Sequence, residues 1–198
     1  MHLVSISGSP SRLSRSSWLL QHAVGRAGAR VEHHDAIAVR ELPAQALISG
    51  NVADAQIVRA HRALALAQGV LIATPIYKAA YSGLLKLFLD GLPPDALRDK
   101  PVLAIATGGS PGHLLAIDYA LKPVLSALGA RTIVDAVYAT DSQLRPDGDK
   151  GFSADGALLE RLDQSLELLL HRPAPLALPR RRAGASTQPA EVAVRAHC

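Results

Sequence analysis

The 198-residue chain has few aromatic residues, a single cysteine and no long apolar run. Aromatic side chains make up 4% of the sequence, so Leu, Ala, Val and Ile must fill most of any core. The one cysteine, Cys198, excludes an internal disulfide framework and a cysteine-rich metal site. No apolar stretch approaches the roughly 20 residues of a membrane span, and the first residues lack a signal-peptide pattern. We therefore expect a cytoplasmic protein with no membrane partner.

The formal net charge is +4, and a cluster of arginines lies near the carboxyl end. Arg180, Arg181 and Arg182 follow each other there, among several prolines and without apolar periodicity. A segment of this composition cannot bury enough surface to offset the entropy lost on ordering. We expect one domain over residues 1–171 and a basic, disordered tail over 172–198 that binds no nucleic acid.

Apolar runs alternate with helical periodicity along the domain. Strands are predicted at 2–7, 30–35, 69–74, 101–106 and 131–139, and helices at 18–24, 53–68, 82–90, 113–128 and 158–169. Residues 36–52 and 141–153 are predicted as irregular connections. Because apolar strands are typical of a parallel sheet covered on both faces, the pattern predicts an α/β fold. We expect a flavodoxin-like, three-layer fold with a five-stranded parallel sheet in the order 2-1-3-4-5.

The loop after the first predicted strand is rich in hydroxyls and carries two arginines. Such a loop suits a phosphate, which is held by backbone N–H groups, hydroxyls and the dipole of the following helix. The loop is neither a dinucleotide fingerprint nor a Walker loop. Serine-rich helix starts also occur simply as caps, so the loop alone does not decide. The candidate phosphate ligands are Ser9, Arg12, Ser14, Arg15, Ser16 and Ser17.

A second loop lies between the third predicted strand and the next helix. Pro75 has no backbone N–H and restricts Thr74, so the strand is predicted to end at Thr74. Ser82 is a suitable N-cap for the helix that follows. In open parallel sheets, ligands bind at such strand-to-helix crossings. An ordinary connecting loop would have the same composition, so this segment too is a candidate only.

The third loop is glycine-rich and follows the fourth predicted strand. Thr107 is followed by Gly108, Gly109 and Gly112, and three glycines allow the backbone to approach a flat ligand closely. Right-handed crossovers place the loops after strands one, three and four at the same edge of the sheet. The sequence therefore predicts one ligand site, built from these three loops.

Two further features concern a helix and a possible metal site. Pro123 lies inside the predicted helix 113–128 and cannot donate to the carbonyl of Tyr119, which predicts a kink or π-bulge at 118–120. His33 and His34 are adjacent, but no cluster of carboxylates and histidines with ligand spacing accompanies them. We expect no metal site.

Taken together, these stretches resemble the NAD(P)H-dependent FMN reductases. The closest likeness is to the flavin reductase component of two-component alkanesulfonate monooxygenases. The matching stretches are Gly8-Ser9-Pro10 and residues 14–17, 73–83, 106–109 and 113–128, and the likeness spans residues 1 to about 170. The family usually has an arginine directly after Gly-Ser-Pro, whereas this chain has Ser11 and then Arg12.

The resemblance implies an enzyme that reduces FMN with NADPH or NADH by direct hydride transfer. Reduced FMN would pass, by transient contact, to an FMNH2-dependent monooxygenase of sulfonate assimilation. No general acid or base is implied. The resemblance also implies a π-helical insertion at Tyr119, beside the flavin at a homotetramer interface. The loop residues named above would hold the phosphate and ribityl groups, and the flavin ring would contact Pro75, Ile76, Tyr77, Lys78, Ser82 and Gly83, with Thr107, Gly108 and Gly109 at its other edge.

Two alternatives stay open on the sequence. One is a quinone or azo-dye reductase of the same fold that keeps FMN bound. The other is a non-enzymatic electron carrier of flavodoxin type, which the net basic charge disfavours because acidic surfaces suit many carrier–partner encounters. The sequence does not choose between NADPH and NADH, or between bound and released FMN.

Overall fold

The computed structural model describes residues 1–148 and 151–171; the predicted tail at 172–198 lies outside them. The strands are β1 (His2–Ser7), β2 (His33–Ala38), β3 (Gly69–Tyr77), β4 (Ala80–Tyr81), β5 (Pro101–Gly108), β6 (Thr132–Ile133), β7 (Val137–Thr140), β8 (Leu144–Pro146) and β9 (Phe152–Ala154). The α-helices are α1 (Arg15–Ala27), α2 (Ala44–Ser49), α3 (Ala55–Leu66), α4 (Gly83–Asp90), α5 (Lys122–Ala127) and α6 (Gly156–Leu170). In the described residues, 3-10 helices cover Gly28–Arg30, Val39–Glu41 and Pro111–Leu114, and a π-helix covers Ile117–Leu121.

The central sheet is parallel, with the order β2-β1-β3-β5, and both β6 and β7 pair with β5. This confirms the predicted flavodoxin-like fold and strand order. The predicted fifth strand is divided into β6 and β7 because it carries one extra residue. Val102 pairs with Ile133 and Ile105 with Val137, so three steps along β5 match four along its neighbour. The extra residue acts as a bulge and interrupts the ladder.

Successive residues of the strands enter two separate cores. On β1, Leu3 packs in the cluster with α1 and α6, and Val4 packs in the cluster with α3, α4 and α5. Every residue of the stretch 70–73 is fully buried, which explains why the strands are continuously apolar. The two faces of the sheet are therefore both covered, and its carboxyl edge stays accessible to a ligand.

Strand β3 continues past Pro75 to Tyr77, so its predicted end at Thr74 is wrong. The backbone N–H of Gly8 donates to the carbonyl of Ala73 at 2.8 Å, and β1 ends at Ser7. Alternate residues of a strand direct their backbone groups to the same side, so the ring nitrogen of Pro75 faces the space beyond the end of β1. No ladder bond to β1 is lost there.

The chain also differs from prediction at β2 and in the two connections that were predicted as irregular. β2 runs from His33 to Ala38 rather than over 30–35, because the 3-10 turn at Gly28–Arg30 follows α1. The connections predicted as irregular contain the short helix α2 and the antiparallel hairpin β8–β9. Among the described residues, no helix is both long enough and apolar enough to cross a bilayer.

The π-helix confirms the feature that Pro123 predicted. The N–H of Lys122 bonds to the carbonyl of Ile117, five residues earlier, and Pro123 lies in the first turn of α5. Proline supplies no N–H at that position, so the wider turn forms just before it.

Candidate functional site

A cavity of about 330 Å³ opens at the carboxyl edge of the sheet, where the chain leaves β1, β3, β5 and β7. This volume lies in the range of small-molecule sites. The three loops that the sequence singled out meet here. The lining residues are Ser9, Ser11, Leu13, Ser14 and Arg15 after β1, Pro75, Ile76 and Tyr77 on β3, Thr107, Gly108 and Gly109 on β5 and after it, and Asp141 after β7.

One end of the cavity offers hydrogen-bond donors and positive charge. Ser14 is the N-cap of α1, and its Oγ accepts from the N–H of Ser17 at 3.3 Å. Ser9 Oγ accepts from the N–H of Ser11 at 3.2 Å, which shapes the loop before the helix. The first N–H groups of α1 have no acceptor within the helix, and its dipole is positive at this end. This end therefore suits an anion.

The guanidinium of Arg15 is held at the same end from several sides. Its Nε donates to the carbonyl of Leu144 at 3.0 Å and lies 3.5 Å from Oδ1 of Asp141. The guanidinium carbon is 5.4 Å from the centre of the Phe152 ring, within cation–π distance. The hairpin β8–β9 thus supports Arg15, while Asp141 offsets part of its charge.

A wall of the cavity is formed by the end of β3 and the turn beyond it. Pro75 and Ile76 are buried, whereas 52% of Tyr77 is exposed. Lys78 and Ala79 connect β3 to β4 with φ values of 49° and 64°. Two-residue hairpin turns of this kind usually contain Asn and Gly. Placing another residue in the left-handed region costs about 1–2 kcal/mol of conformational energy. Backbone strain of this kind is concentrated at functional sites.

Gly108 lies where the cavity meets β7. A Cβ at this position would be 2.5 Å from the hydroxyl of Tyr138 and 3.4 Å from Nδ1 of His113, so only glycine fits without a shift. The Tyr138 hydroxyl donates to the carbonyl of Ser110 at 2.6 Å. Burial, and secondly the Asp141 carboxylate, raise the pKa of Tyr138, so the phenol stays protonated at neutral pH. Tyr138 thereby fixes the loop that follows β5.

Some predicted residues of the first loop lie outside the main cavity. Arg12 and Ser17 line a neighbouring cavity of about 110 Å³, together with Arg40. The hydroxyl of Ser17 is 2.7 Å from that of Ser7. Ser16 is fully buried. Arg12 and Ser17 therefore border the neighbouring cavity, and Ser16 is not among the lining residues of either cavity.

The remaining predicted residues support the wall rather than line it. Ser82 is buried as the N-cap of α4, and its hydroxyl donates to the carbonyl of Gly8. Gly83 begins α4, and Lys78 is exposed at the turn.

The sequence did not single out Ser11, Leu13 and Asp141, which line the cavity, or Tyr138. Leu13 is 81% exposed at the mouth. The rule that ligands bind beyond the carboxyl ends of strands would have found Asp141, because it directly follows β7. Leu13 has no comparable signal in the sequence.

Tyr119 lies on the π-helix with 80% of its surface exposed. Leu114 and Leu115, on the turns just before it, are 44% and 55% exposed. The π-helix packs against β4, the strand that follows the cavity wall. An exposed apolar group of this kind is typical of an interaction surface.

Comparison with known proteins identifies the family. The profile of the family described as NADPH-dependent FMN reductase matches residues 1–144. The FMN reductase (NADPH) of Pseudomonas putida is 44% identical over 182 residues, covering 89% of this chain and 92% of that protein. The Escherichia coli FMN reductase (NADPH) is 42% identical over 183 residues, with coverage of 87% and 91%.

A solved structure agrees with these relatives. The apo form of an NADH:FMN oxidoreductase (EMOB) shares 38% identity with a TM-score of 0.76, covering 85% of this chain and 87% of that one. The chain therefore belongs to the NADPH-dependent FMN reductase family and is an NAD(P)H:FMN oxidoreductase.

Proposed function

We propose that this reductase uses FMN as a substrate that it releases, and that it supplies reduced FMN to a partner monooxygenase of sulfonate assimilation. The observation that carries the proposal is the position of Asp141, 3.5 Å from the Arg15 guanidinium at the anion-binding end of the cavity. A carboxylate at this distance offsets the charge that would attract a phosphate, which limits the affinity and favours release. The exposed Leu13 and Tyr77 leave the mouth open. The likeness of residues 73–83 and 113–128 to such reductases supports the same role.

The residues at the cavity fit the two ends of FMN. Ser9, Ser14 and Arg15, with the first N–H groups of α1, would hold the phosphate and the ribityl chain. The wall on β3 would support the ring, and the loop after β5 would border its other edge. FMN and NAD(P)H themselves supply the hydride chemistry, so the protein's part is to bind and align the two rings. No side chain needs to act as an acid or base.

The predicted residues that do not line the main cavity would support the site without contacting FMN. Ser16 and Ser17 would present the start of α1, and Ser82 and Gly83 would present the start of α4. Lys78 would set the position of Tyr77 through the turn. Arg12 would contribute long-range charge from the neighbouring cavity rather than a direct bond.

We infer that NADPH is the preferred nucleotide. The relatives named FMN reductase (NADPH) are 44% and 42% identical, whereas the NADH:FMN oxidoreductase is 38% identical. The inference rests on the nucleotide named for these two relatives alone. The ratio of kcat/KM for NADPH and NADH, measured with FMN in excess, tests it directly.

A homotetramer is part of the proposed function. The patch formed by Leu114, Leu115 and Tyr119 would be covered by another copy of the chain. Because the π-helix packs against β4, covering this patch would also influence the wall of the cavity. Subunit packing and flavin release would then be coupled through Tyr119.

Anaerobic reduction of a large excess of FMN tests whether the flavin is released. A protein that purifies colourless and bleaches many equivalents of free FMN with NADPH supports the proposal. A yellow protein that reduces a quinone or an azo dye, but not free FMN, would instead be a reductase with a bound prosthetic group. A partner monooxygenase added in air should form its product only when the reductase, NADPH and FMN are all present.

A further inference from the structure

Three side chains with metal-binding atoms meet at the amino edge of the sheet, at the opposite end of the strands from the cavity. Strands β1 and β2 are parallel, and their register pairs His2 with His33. Side chains two residues apart on a strand share a face, so Asp35 lies on the same face as His33. The register alone therefore brings two imidazoles and one carboxylate together.

The distances between these groups are close to those of a metal site. Nε2 of His2 is 2.9 Å from Oδ2 of Asp35, and Nε2 of His33 is 3.4 Å from the same oxygen. One ligand atom from each of the three residues lies within 4.8 Å of the other two. Two ligands of one tetrahedral zinc ion are about 3.4 Å apart, given metal–ligand bonds of about 2.0–2.1 Å. Small side-chain rotations would reach that spacing.

We propose that His2, His33 and Asp35 bind a divalent transition-metal ion such as Zn²⁺. Two imidazole nitrogens and one carboxylate oxygen suit ions of this kind, whereas Mg²⁺ and Ca²⁺ prefer oxygen ligands. Three protein ligands leave a coordination position for water. The His2 side chain is only 17% exposed, but that of His33 is 64% exposed, so an ion can enter from solvent.

The adjacent histidines that the sequence shows are not the pair that meets here. His34 points to the other face of β2, where its Nε2 is 2.9 Å from the hydroxyl of Ser5. The partner of His33 comes from another strand, so the spacing along the chain gave no sign of a ligand set. Without a metal, the same three groups would form a hydrogen-bonded cluster around Asp35. Only a metal site predicts stoichiometric ion binding.

Equilibrium dialysis of the full-length protein, first stripped with a chelator, tests the proposal with Zn²⁺ and with Co²⁺. We expect one ion per chain, and visible Co²⁺ absorption from a site of low coordination number. His33→Ala and Asp35→Asn should each lower the affinity by at least about tenfold, since even loss of a group that only orients a ligand costs that much. Asp35→Asn preserves the size of the side chain, and retained FMN turnover would show that each variant is folded.

Two control variants remove other possible ligands. His171→Ala removes an exposed histidine whose Nδ1 is 3.0 Å from Glu167, and Cys198→Ser removes the only thiol. The site is supported if ion binding is retained in both control variants and is lost in His33→Ala and Asp35→Asn. Absence of stoichiometric binding in the parent protein, equal binding in His33→Ala and Asp35→Asn, or loss in a control variant would each overturn it.

Discussion

The hydroxyl of Ser82 joins two loops that are far apart in the sequence: it donates to the carbonyl of Gly8 and accepts from the N–H of Leu85 at 3.1 Å. The N–H of Ser82 donates in turn to Oγ1 of Thr74 at 3.0 Å. All three bonds are buried. One side chain thus caps α4 and fixes the loop that leads to Ser14 and Arg15 at one end of the cavity.

Replacing Ser82 by Ala should lower the free energy of unfolding by about 1–3 kcal/mol, because a cap is lost and the Gly8 carbonyl is left unpaired. The KM for FMN should rise as well, since the loop after β1 loses its anchor. Asp54→Ala is a matched control: Asp54 caps α3 by accepting from Gln56 at 2.8 Å. The control should lose stability and keep its KM. Urea denaturation and steady-state kinetics measure both, and an unchanged KM in Ser82→Ala would contradict the coupling.

Arg15 and Arg12 should contribute unequally to FMN binding. Arg15 lines the cavity and Arg12 lines the neighbouring one, so Arg15→Ala should weaken binding by about 1–3 kcal/mol, or roughly 5- to 150-fold. Arg12→Ala should have a much smaller effect. Quenching of FMN fluorescence gives the Kd of each variant. The reverse order would mean that Arg12 takes the phosphate in solution.

Gly108→Ala should be far more damaging than Gly109→Ala. The new Cβ at Gly108 would meet the Tyr138 hydroxyl at 2.5 Å, whereas the nearest atom to a Cβ at Gly109 is Oδ2 of Asp141 at 3.8 Å. Displacing Tyr138 breaks its bond to Ser110, and overpacking of this kind costs about 1–3 kcal/mol. Thermal midpoints of the two variants compare them directly. Equal midpoints would show that Tyr138 moves without cost.

Tyr119→Ala should change both assembly and flavin release. The truncated side chain would weaken the proposed interface and change how the cavity opens, so the variant should purify yellow, with bound flavin that NADPH still reduces. Absorption spectra and size-exclusion chromatography measure the two effects. Leu168→Ala is the control, because Leu168 is 53% exposed on α6. A colourless Tyr119→Ala protein with unchanged assembly and full turnover of free FMN would leave the π-helix without this role.

Stability should fall as the pH is lowered through the histidine range. Burial lowers the pKa of His61, whose Nε2 is enclosed without a hydrogen-bond partner in the described part of the chain. The folded state then binds a proton less tightly than the unfolded chain, so acid below the ordinary value of about 6.5 favours unfolding. Burial shifts the pKa values of His22 and His34 in the same direction. On acidification, the thermal midpoint of His61→Leu should therefore fall less than that of the parent protein. An equal fall in the two proteins would rule out His61 as a contributor.

The general fold could be predicted because its signals are local and repeated. The strands could be predicted from continuous apolar runs. The π-helix could be predicted from Pro123, because inside a helix a missing N–H always removes the bond to the carbonyl four residues earlier. Pro75 misled the prediction because its effect depends on what lies beside the strand. At Pro75, β1 has already ended, so the missing N–H of the proline removes no hydrogen bond from the sheet.

The site was predictable at the level of loops but not of every side chain. The order of strands brings the three loops together whatever their details, and most of the predicted ligands do line the cavity. Arg12 lines the neighbouring cavity together with Arg40 and residues of β2, and no local sequence pattern encodes that placement. Lys78 and Ala79 carry no turn signature, so the hairpin at the wall was not foreseen.

That hairpin has a consequence for the entropy of binding. Since Lys78 and Ala79 already occupy a region that such residues seldom visit, the tertiary packing around them has fixed the turn before any ligand arrives. A ligand that packs on Tyr77 would not have to order the segment behind it, and little conformational freedom would be lost on each cycle of binding and release. The free energy needed to hold this turn in its strained conformation is offset once, when the protein folds. It does not reduce the affinity for each ligand that binds afterwards.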